Sequence, residues 1–129
     1  MLDIDTYMKK LLSLLKDEFG DELLYLGLQG SYLRGEATEG SDIDAMVILN
    51  KLSPEMLRRY RRVIKKAGHE ALSCGFICGR EEMKSWNRLE IPCLLQSTRD
   101  IFGRLSDFVP AYSPDDLRQY IKHSLNSLY

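Results

Sequence analysis

The sequence contains few of the residues that build disulfide frameworks or zinc sites, which narrows the classes of protein to consider. Its 129 residues include three cysteines, Cys74, Cys78 and Cys93, an odd and small number for a disulfide framework. The only histidines are His69 and His123, so no zinc-binding spacing can be assembled. We therefore expect reduced cysteines that pack in the core, and a cytoplasmic protein.

Long apolar runs and an excess of charge of one sign are also missing. No segment approaches the roughly 18 to 20 apolar residues that cross a bilayer, and the acidic, lysine-interrupted start of the chain lacks the pattern of a signal peptide. The 18 Lys+Arg residues are matched by 19 Asp+Glu residues, so the chain lacks the basic field typical of nucleic-acid binders. We expect neither a membrane nor a nucleic acid as a partner.

Both helices and strands are predicted along the chain, and its length fits one domain with a hydrophobic core. Apolar residues at helical spacing and capping signals predict helices that end at Phe19 and that cover about 32–36, 54–68 and 114–128. Short apolar runs predict strands over 23–28, 42–49, 72–78 and 91–95. A helical turn is predicted over 81–86 and a structured turn over 98–103. This alternation predicts a single α/β or α+β domain whose sheet is covered by helices.

Two aspartates at the start of the second predicted strand form the first candidate site. Because side chains alternate along a strand, Asp42 and Asp44 leave the same face, about 6.5–7 Å apart along the chain. Adjacent carboxylates favour a divalent cation between them, and oxygen ligands without a nearby His or Cys favour Mg²⁺. The alternative is that both aspartates are solvated at the strand end, next to a turn made by Gly40 and Ser41.

Gly30 and Ser31 form the second candidate, because they follow a buried strand directly and begin a short helix. Backbone N–H groups at a helix start bind anions, and glycine lets a phosphate approach the backbone. The spacing from Gly30 to Gly35 matches a P-loop, but Glu36 and Ala37 stand where that motif needs Lys and Ser/Thr. The P-loop interpretation is therefore rejected.

Together the two candidates form one ordered motif between two strands. It reads Gly30-Ser31-Tyr32-x-Arg34-Gly35-x-Ala37-x3-Ser41-Asp42-Ile43-Asp44. This motif resembles that of the nucleotidyltransferase superfamily related to DNA polymerase β, and it is similar to minimal and aminoglycoside nucleotidyltransferases. The resemblance implies a nucleotidyltransferase-like mixed β-sheet flanked by helices, in one domain over 1–129 with its core at about 1–103 and a terminal helix at about 114–128.

The resemblance also implies an activity and a role for each motif residue. The implied reaction transfers NMP, in the first place AMP from ATP, to a hydroxyl of a small molecule or protein and releases pyrophosphate. Asp42 and Asp44 are implied as the catalytic ligands of two Mg²⁺ ions. The residues implied in binding the nucleoside triphosphate are Gly30, Ser31, Arg34 and Ser41.

One part of the family's site has no obvious counterpart. The family normally supplies a third carboxylate from a later strand, and the predicted strand 72–78 contains no acid. We favour Glu90, because a carboxylate that enters an apolar strand is costly to place without a function. Glu70, Glu81 and Glu82 remain open alternatives. If the third acid is missing, nucleotide binding can survive while transfer is weak or absent.

Two other functions stay open beside the enzyme. One is an antitoxin-like or regulatory module that binds a helical protein partner, and the other is a degenerate nucleotide-binding fold without turnover. A core of about 103 residues leaves no room for a second domain in 129. The acceptor pocket is therefore expected to be shallow, to lie at a homodimer interface, or to be supplied by a partner.

Overall fold

Helix α1 covers Ile4–Phe19 because its apolar residues recur at helical spacing and Asp3 caps its start. The Asp3 carboxylate accepts hydrogen bonds from the backbone N–H of Thr6 at 3.3 Å and from its hydroxyl at 2.8 Å. This computed structural model describes residues 2–110. The predicted helix over 114–128 lies outside them.

The strands build one four-stranded sheet in the order β3-β2-β1-β4. Their bounds are β1 Leu23–Gln29, β2 Ile43–Leu49, β3 Ser73–Gly79 and β4 Arg99–Phe102. Strand β1 is antiparallel to β2 and to β4, whereas β2 and β3 are parallel. The predicted mixed sheet flanked by helices is therefore confirmed.

In the described part of the chain, four further α-helices connect or follow these strands. Their bounds are α2 Gly30–Arg34, α3 Pro54–Ala67, α4 Arg80–Lys84 and α5 Ile91–Gln96. Helix α3 begins where the sequence predicts, because the Ser53 side chain accepts a hydrogen bond from the backbone N–H of Met56 and Pro54 occupies the first turn. Within residues 2–110, no helix is both long and apolar enough to cross a membrane.

The sheet has a hydrophobic cluster on each face, and alternation along β2 assigns its residues to the two. Ile43 and Val47 pack with α1 and α3 in the larger cluster. Met46 and Ile48 belong to the smaller cluster, which also contains Met83 of α4. Asp44 shares the face of Met46 and Ile48, at the end of the strand where this cluster stops.

Three local predictions are wrong. The run 91–95 is a helix, α5, rather than a strand, because Pro92 starts the helix. The expected turn over 98–103 contains strand β4, which pairs with β1. Cys78 is buried as expected, but Cys74 and Cys93 are exposed.

Candidate active site

The site is centred on the contact between Gly30 and Asp44, which join the end of β1 to the start of β2. Gly30 has a φ of 77°, a conformation that strains other residues. A Cβ at this position would overlap with Oδ2 of Asp44 and lie 2.9 Å from its carboxyl carbon. Glycine is therefore required both by the backbone turn and by the space that the carboxylate occupies.

The two aspartate carboxylates carry charge that the described part of the chain does not neutralise. Asp42 is exposed and Asp44 is half-buried. Among residues 2–110, neither carboxylate has a cationic side chain within 4.0 Å. Two carboxylates without cationic partners fit a divalent cation, since Mg²⁺ is usually bound by one or two carboxylates together with phosphate oxygens and waters.

Asp44 lies within a line of polar side chains that crosses the sheet. It pairs with Gln29 on β1 and with Cys74 on β3, and paired residues of neighbouring strands point to the same face. Beyond Gln29, the Thr98 hydroxyl accepts a hydrogen bond from Nε2 of Gln29 at 2.8 Å. We call Thr98, Gln29, Asp44 and Cys74 the polar row.

The polar row lies next to a firmly held part of the sheet. The buried hydroxyl of Tyr25 donates a hydrogen bond to Oδ1 of Asp100 at 2.6 Å, which ties β1 to β4. Burial and this carboxylate raise the pKa of the Tyr25 phenol, so the hydroxyl keeps its proton and remains a donor. This bond adds a side-chain link between β1 and β4 on the face of the sheet that carries Gln29.

The structure does not add a third carboxylate from β3. Cys74 occupies the position beside Asp44, and no three His, Cys, Asp or Glu side chains in residues 2–110 form a group that could hold a metal ion. Glu90 is exposed in a 3-10 turn over Arg88–Glu90, directly before α5. The apolar strand predicted over 91–95, which favoured Glu90, is therefore a helix. The role of Glu90 in catalysis stays a prediction.

Arg34 and Ser41 both have partners in the loop that connects α2 to β2. Nε of Arg34 donates to Oε2 of Glu36 at 3.1 Å, and both side chains are exposed. Oγ of Ser41 accepts a hydrogen bond from the backbone N–H of Thr38 at 2.8 Å. Ser41 therefore shapes the turn that leads into Asp42, and the exposed Arg34 is paired with Glu36 through Nε.

Two cavities flank α5, and they share Cys93 and Ser97. One, of about 330 Å³, is lined by Trp86, Glu90, Cys93, Leu94 and Ser97. The other, of about 300 Å³, lies between α2 and α5 and is lined by Leu33, Arg34, Cys93, Gln96 and Ser97. We call the two together the α5 groove; it brings Arg34 of the motif and Glu90 to the two ends of one surface.

The sequence predicts the aspartates and the glycine turn, but not Gln29, Thr98, Cys74 or the α5 groove. One signal for Gln29 was available, because a single polar residue ends the otherwise apolar strand β1. Cys74 and Thr98 gave no such signal, since their place beside Asp44 and Gln29 depends on strand pairing and on the position of α5.

Comparisons with known proteins identify the family and the fold of this chain. A family model described as a nucleotidyltransferase domain matches residues 8–122. A Methanocaldococcus jannaschii protein named as a candidate protein adenylyltransferase is 38% identical over 58 residues, which are 45% of this chain and 37% of that protein. The chain therefore spans well under half of this relative.

Solved structures share the fold. Spectinomycin adenyltransferase AAD(9) from Enterococcus faecialis, determined with ATP and spectinomycin, has a TM-score of 0.63 at 16% identity, over 96% of this chain and 66% of that one. A toxin–antitoxin structure with AMP-PNP has a TM-score of 0.54 at 18% identity, over 92% of this chain and 86% of that one. The family match covers most of the sequence, and the chain belongs to the nucleotidyltransferase domain family.

Proposed function

We propose that this chain is a Mg²⁺-dependent nucleotidyltransferase that transfers AMP from ATP to a hydroxyl of a protein. The observation that carries the proposal is the close contact between the Asp44 carboxylate and Gly30. It places a free carboxylate directly at the turn that begins α2, where the motif is expected to bind phosphates. Other nucleoside triphosphates are alternatives to ATP as the donor.

Each residue of the site has a defined part in this proposal. Asp42 and Asp44 hold two divalent ions, and the backbone N–H of Gly30 and the hydroxyl of Ser31 donate hydrogen bonds to the departing phosphates. Ser31 is half-buried, so its hydroxyl is partly withdrawn from water. Ser41 fixes the turn before Asp42 through its hydrogen bond with Thr38.

The reaction is a displacement at the α-phosphorus of the nucleotide. The acceptor oxygen forms a bond to that phosphorus, the bond to the bridging oxygen breaks, and pyrophosphate leaves while the hydroxyl proton passes to solvent or to a carboxylate. When bound, Mg²⁺ supplies charge neutralisation on the phosphate oxygens. The chain's own contribution is to position the nucleotide and the carboxylates, which is a large part of catalysis in such displacements.

A protein is the acceptor that the comparisons support best. The Methanocaldococcus jannaschii relative is named as a candidate protein adenylyltransferase, and a structural neighbour is a toxin–antitoxin assembly. The α5 groove is open to solvent beside the motif, as access for a side chain of a partner requires. A small-molecule hydroxyl is the alternative, because another neighbour is a spectinomycin adenyltransferase.

Labelled ATP tests the proposal directly. The protein is incubated with Mg²⁺ and ATP labelled at the α-phosphate, with a lysate of its own source as acceptor, and label on protein is separated from label on small molecules. Asp42→Asn and Asp44→Asn should abolish transfer. Asp21→Asn, which changes an exposed carboxylate outside the site, should retain it. Equal ATP binding and transfer by all four proteins would overturn the proposal.

A binding module with little turnover is the second candidate, and the identity of residue 74 favours it. Cys74 lies beside Asp44 where an acid from β3 would complete the site. If the missing acid limits turnover, Cys74→Asp should increase label transfer, whereas Cys74→Ser should not. A fully active wild type that Cys74→Asp fails to improve would exclude this second candidate.

A further inference from the structure

The end of β1 carries a polar side chain whose orientation is determined by its neighbours. Gln29 is half-buried and directly precedes Gly30. It is the cross-strand partner of Asp44, so the two side chains share a face and their Cβ atoms are about 4.5–5.5 Å apart. Gln29 therefore lies beside the carboxylate and not on the opposite face of the sheet.

The hydrogen bonds of Thr98 determine which end of the Gln29 amide faces it. The Thr98 hydroxyl donates its single proton to the carbonyl oxygen of Leu94 at 2.7 Å. It can then only accept, so the group 2.8 Å away must be Nε2 of Gln29, which is also 3.9 Å from the sulfur of Met46. With Nε2 held on this side, Oε1 points away from Thr98.

The carbonyl oxygen Oε1 of Gln29 is thus an acceptor of defined orientation on the residue that pairs with Asp44. Among the side-chain hydrogen bonds of residues 2–110, those of Gln29 all use Nε2. A neutral amide oxygen beside a carboxylate is a poor partner for an anion but a good one for a metal-bound water or for the metal itself.

We propose that Gln29 is a positioning residue of this site: its Oε1 accepts a hydrogen bond from the water shell of a divalent ion held by Asp42 and Asp44. The proposal rests on the proposed function, since it assumes that these aspartates bind the ion. Gln29 supplies a neutral oxygen from β1 on one side of Asp44, whereas β3 supplies only the Cys74 thiol on the other side. Thr98 acts indirectly, because its hydrogen bond with Nε2 prevents the Gln29 amide from flipping.

Binding of Mn²⁺, followed by electron paramagnetic resonance without nucleotide, tests the proposal apart from activity. Gln29→Leu should weaken Mn²⁺ binding about tenfold, as the loss of an outer-shell partner typically does. Gln29→Glu should strengthen it, because a carboxylate replaces the neutral oxygen. Thr98→Val should weaken binding by freeing the amide, and Thr98→Ser should behave as the wild type.

The same measurements separate a positioning role from a purely structural one. Asn50→Ala, at the opposite end of β2, serves as the control and should leave Mn²⁺ binding unchanged. If Gln29→Leu lowers only the unfolding temperature and all folded variants bind Mn²⁺ like the wild type, the role of Gln29 is overturned and the proposed function stands. If wild type binds Mn²⁺ no better than the Asp42→Asn/Asp44→Asn double variant, both without nucleotide and with a non-hydrolysable ATP analogue, both proposals fail.

Discussion

Gly30 shows how one residue couples a backbone turn to a functional side chain. Its φ of 77° disfavours any side chain, and a Cβ would overlap with the Asp44 carboxylate. We predict that Gly30→Ala displaces Asp44 and lowers label transfer about 10²-fold, the typical cost of a displacement of about 1 Å in a site. Gly68→Ala is the matched control, since Gly68 has a φ of 89° but open space around its Cα. If both variants lose transfer to a similar extent, backbone strain alone explains the effect and the displacement of Asp44 does not.

The three cysteines differ in exposure, and their reactivity should follow it. Burial, with a smaller effect of Glu82, raises the pKa of the Cys78 thiol to about 11, so this thiol is protonated at pH 8. Cys74 and Cys93 are exposed. Because the thiolate is the reactive form, we predict two fast thiols and one slow thiol in a titration with a chromogenic disulfide at pH 8. In denaturant all three should react together; a fast Cys78 in the folded protein would contradict its burial.

At the scale of elements, one arginine joins the two long helices. Nε of Arg59 in α3 donates to Oε1 of Glu18 in α1 at 2.8 Å, a second bond reaches the Glu18 carbonyl, and the guanidinium lies 5.0 Å from the centre of the Phe19 ring. We predict that Arg59→Met lowers the free energy of unfolding by about 1–2 kcal/mol, measured with urea at pH 7. Arg61→Met, on the exposed face of the same helix, should change it by less than about 0.5 kcal/mol.

The same ion pair gives a pH dependence of defined sign. The hydrogen bond from Arg59 is the main cause that holds the pKa of Glu18 below its ordinary value. The contribution of the pair is therefore complete above the unfolded pKa of about 4.3 and is lost as the pH falls through the lower folded value. The difference between wild type and Arg59→Met should shrink from pH 7 to pH 3, and a constant difference would contradict the role of the charge.

The elements also show what the sequence could and could not predict. Helices α1 and α3 and strand β2 were predictable because each combines a long periodic or apolar run with a cap or a polar boundary. The run 91–95 was not, since a short apolar segment fits a strand and a buried helix equally well. Strand β4 has charged residues at its start and exists through its pairing with β1. The site follows the same rule: Asp42, Asp44 and Gly30 are visible as a motif, whereas the polar row requires the strand register.

For the whole molecule, the sheet edge is where separate parts of the chain meet. This edge is formed where β1 ends and β2 starts. Three segments meet there: the turn after β1 at about residue 30, the start of β2 at about residue 44, and the end of α5 at about residue 97. The two hydrophobic clusters hold the helices on opposite faces, and the free carboxylates lie at the edge beyond them. The sheet thus carries a motif that borders the α5 groove, most of whose lining comes from a later part of the sequence.

Because these segments lie side by side, we predict that nucleotide binding lowers the reactivity of the Cys93 thiol. The thiol lines both cavities of the α5 groove, one of which also contains Arg34 of the motif. In a Cys74→Ser protein, ATP with Mg²⁺ should therefore slow the alkylation of Cys93, as followed by mass spectrometry of the modified peptide. Asp44→Asn should remove the protection because the nucleotide no longer binds with its metal. If calorimetry shows bound ATP while Cys93 reacts at an unchanged rate, the nucleotide does not cover the α5 groove, which then remains open for the acceptor alone.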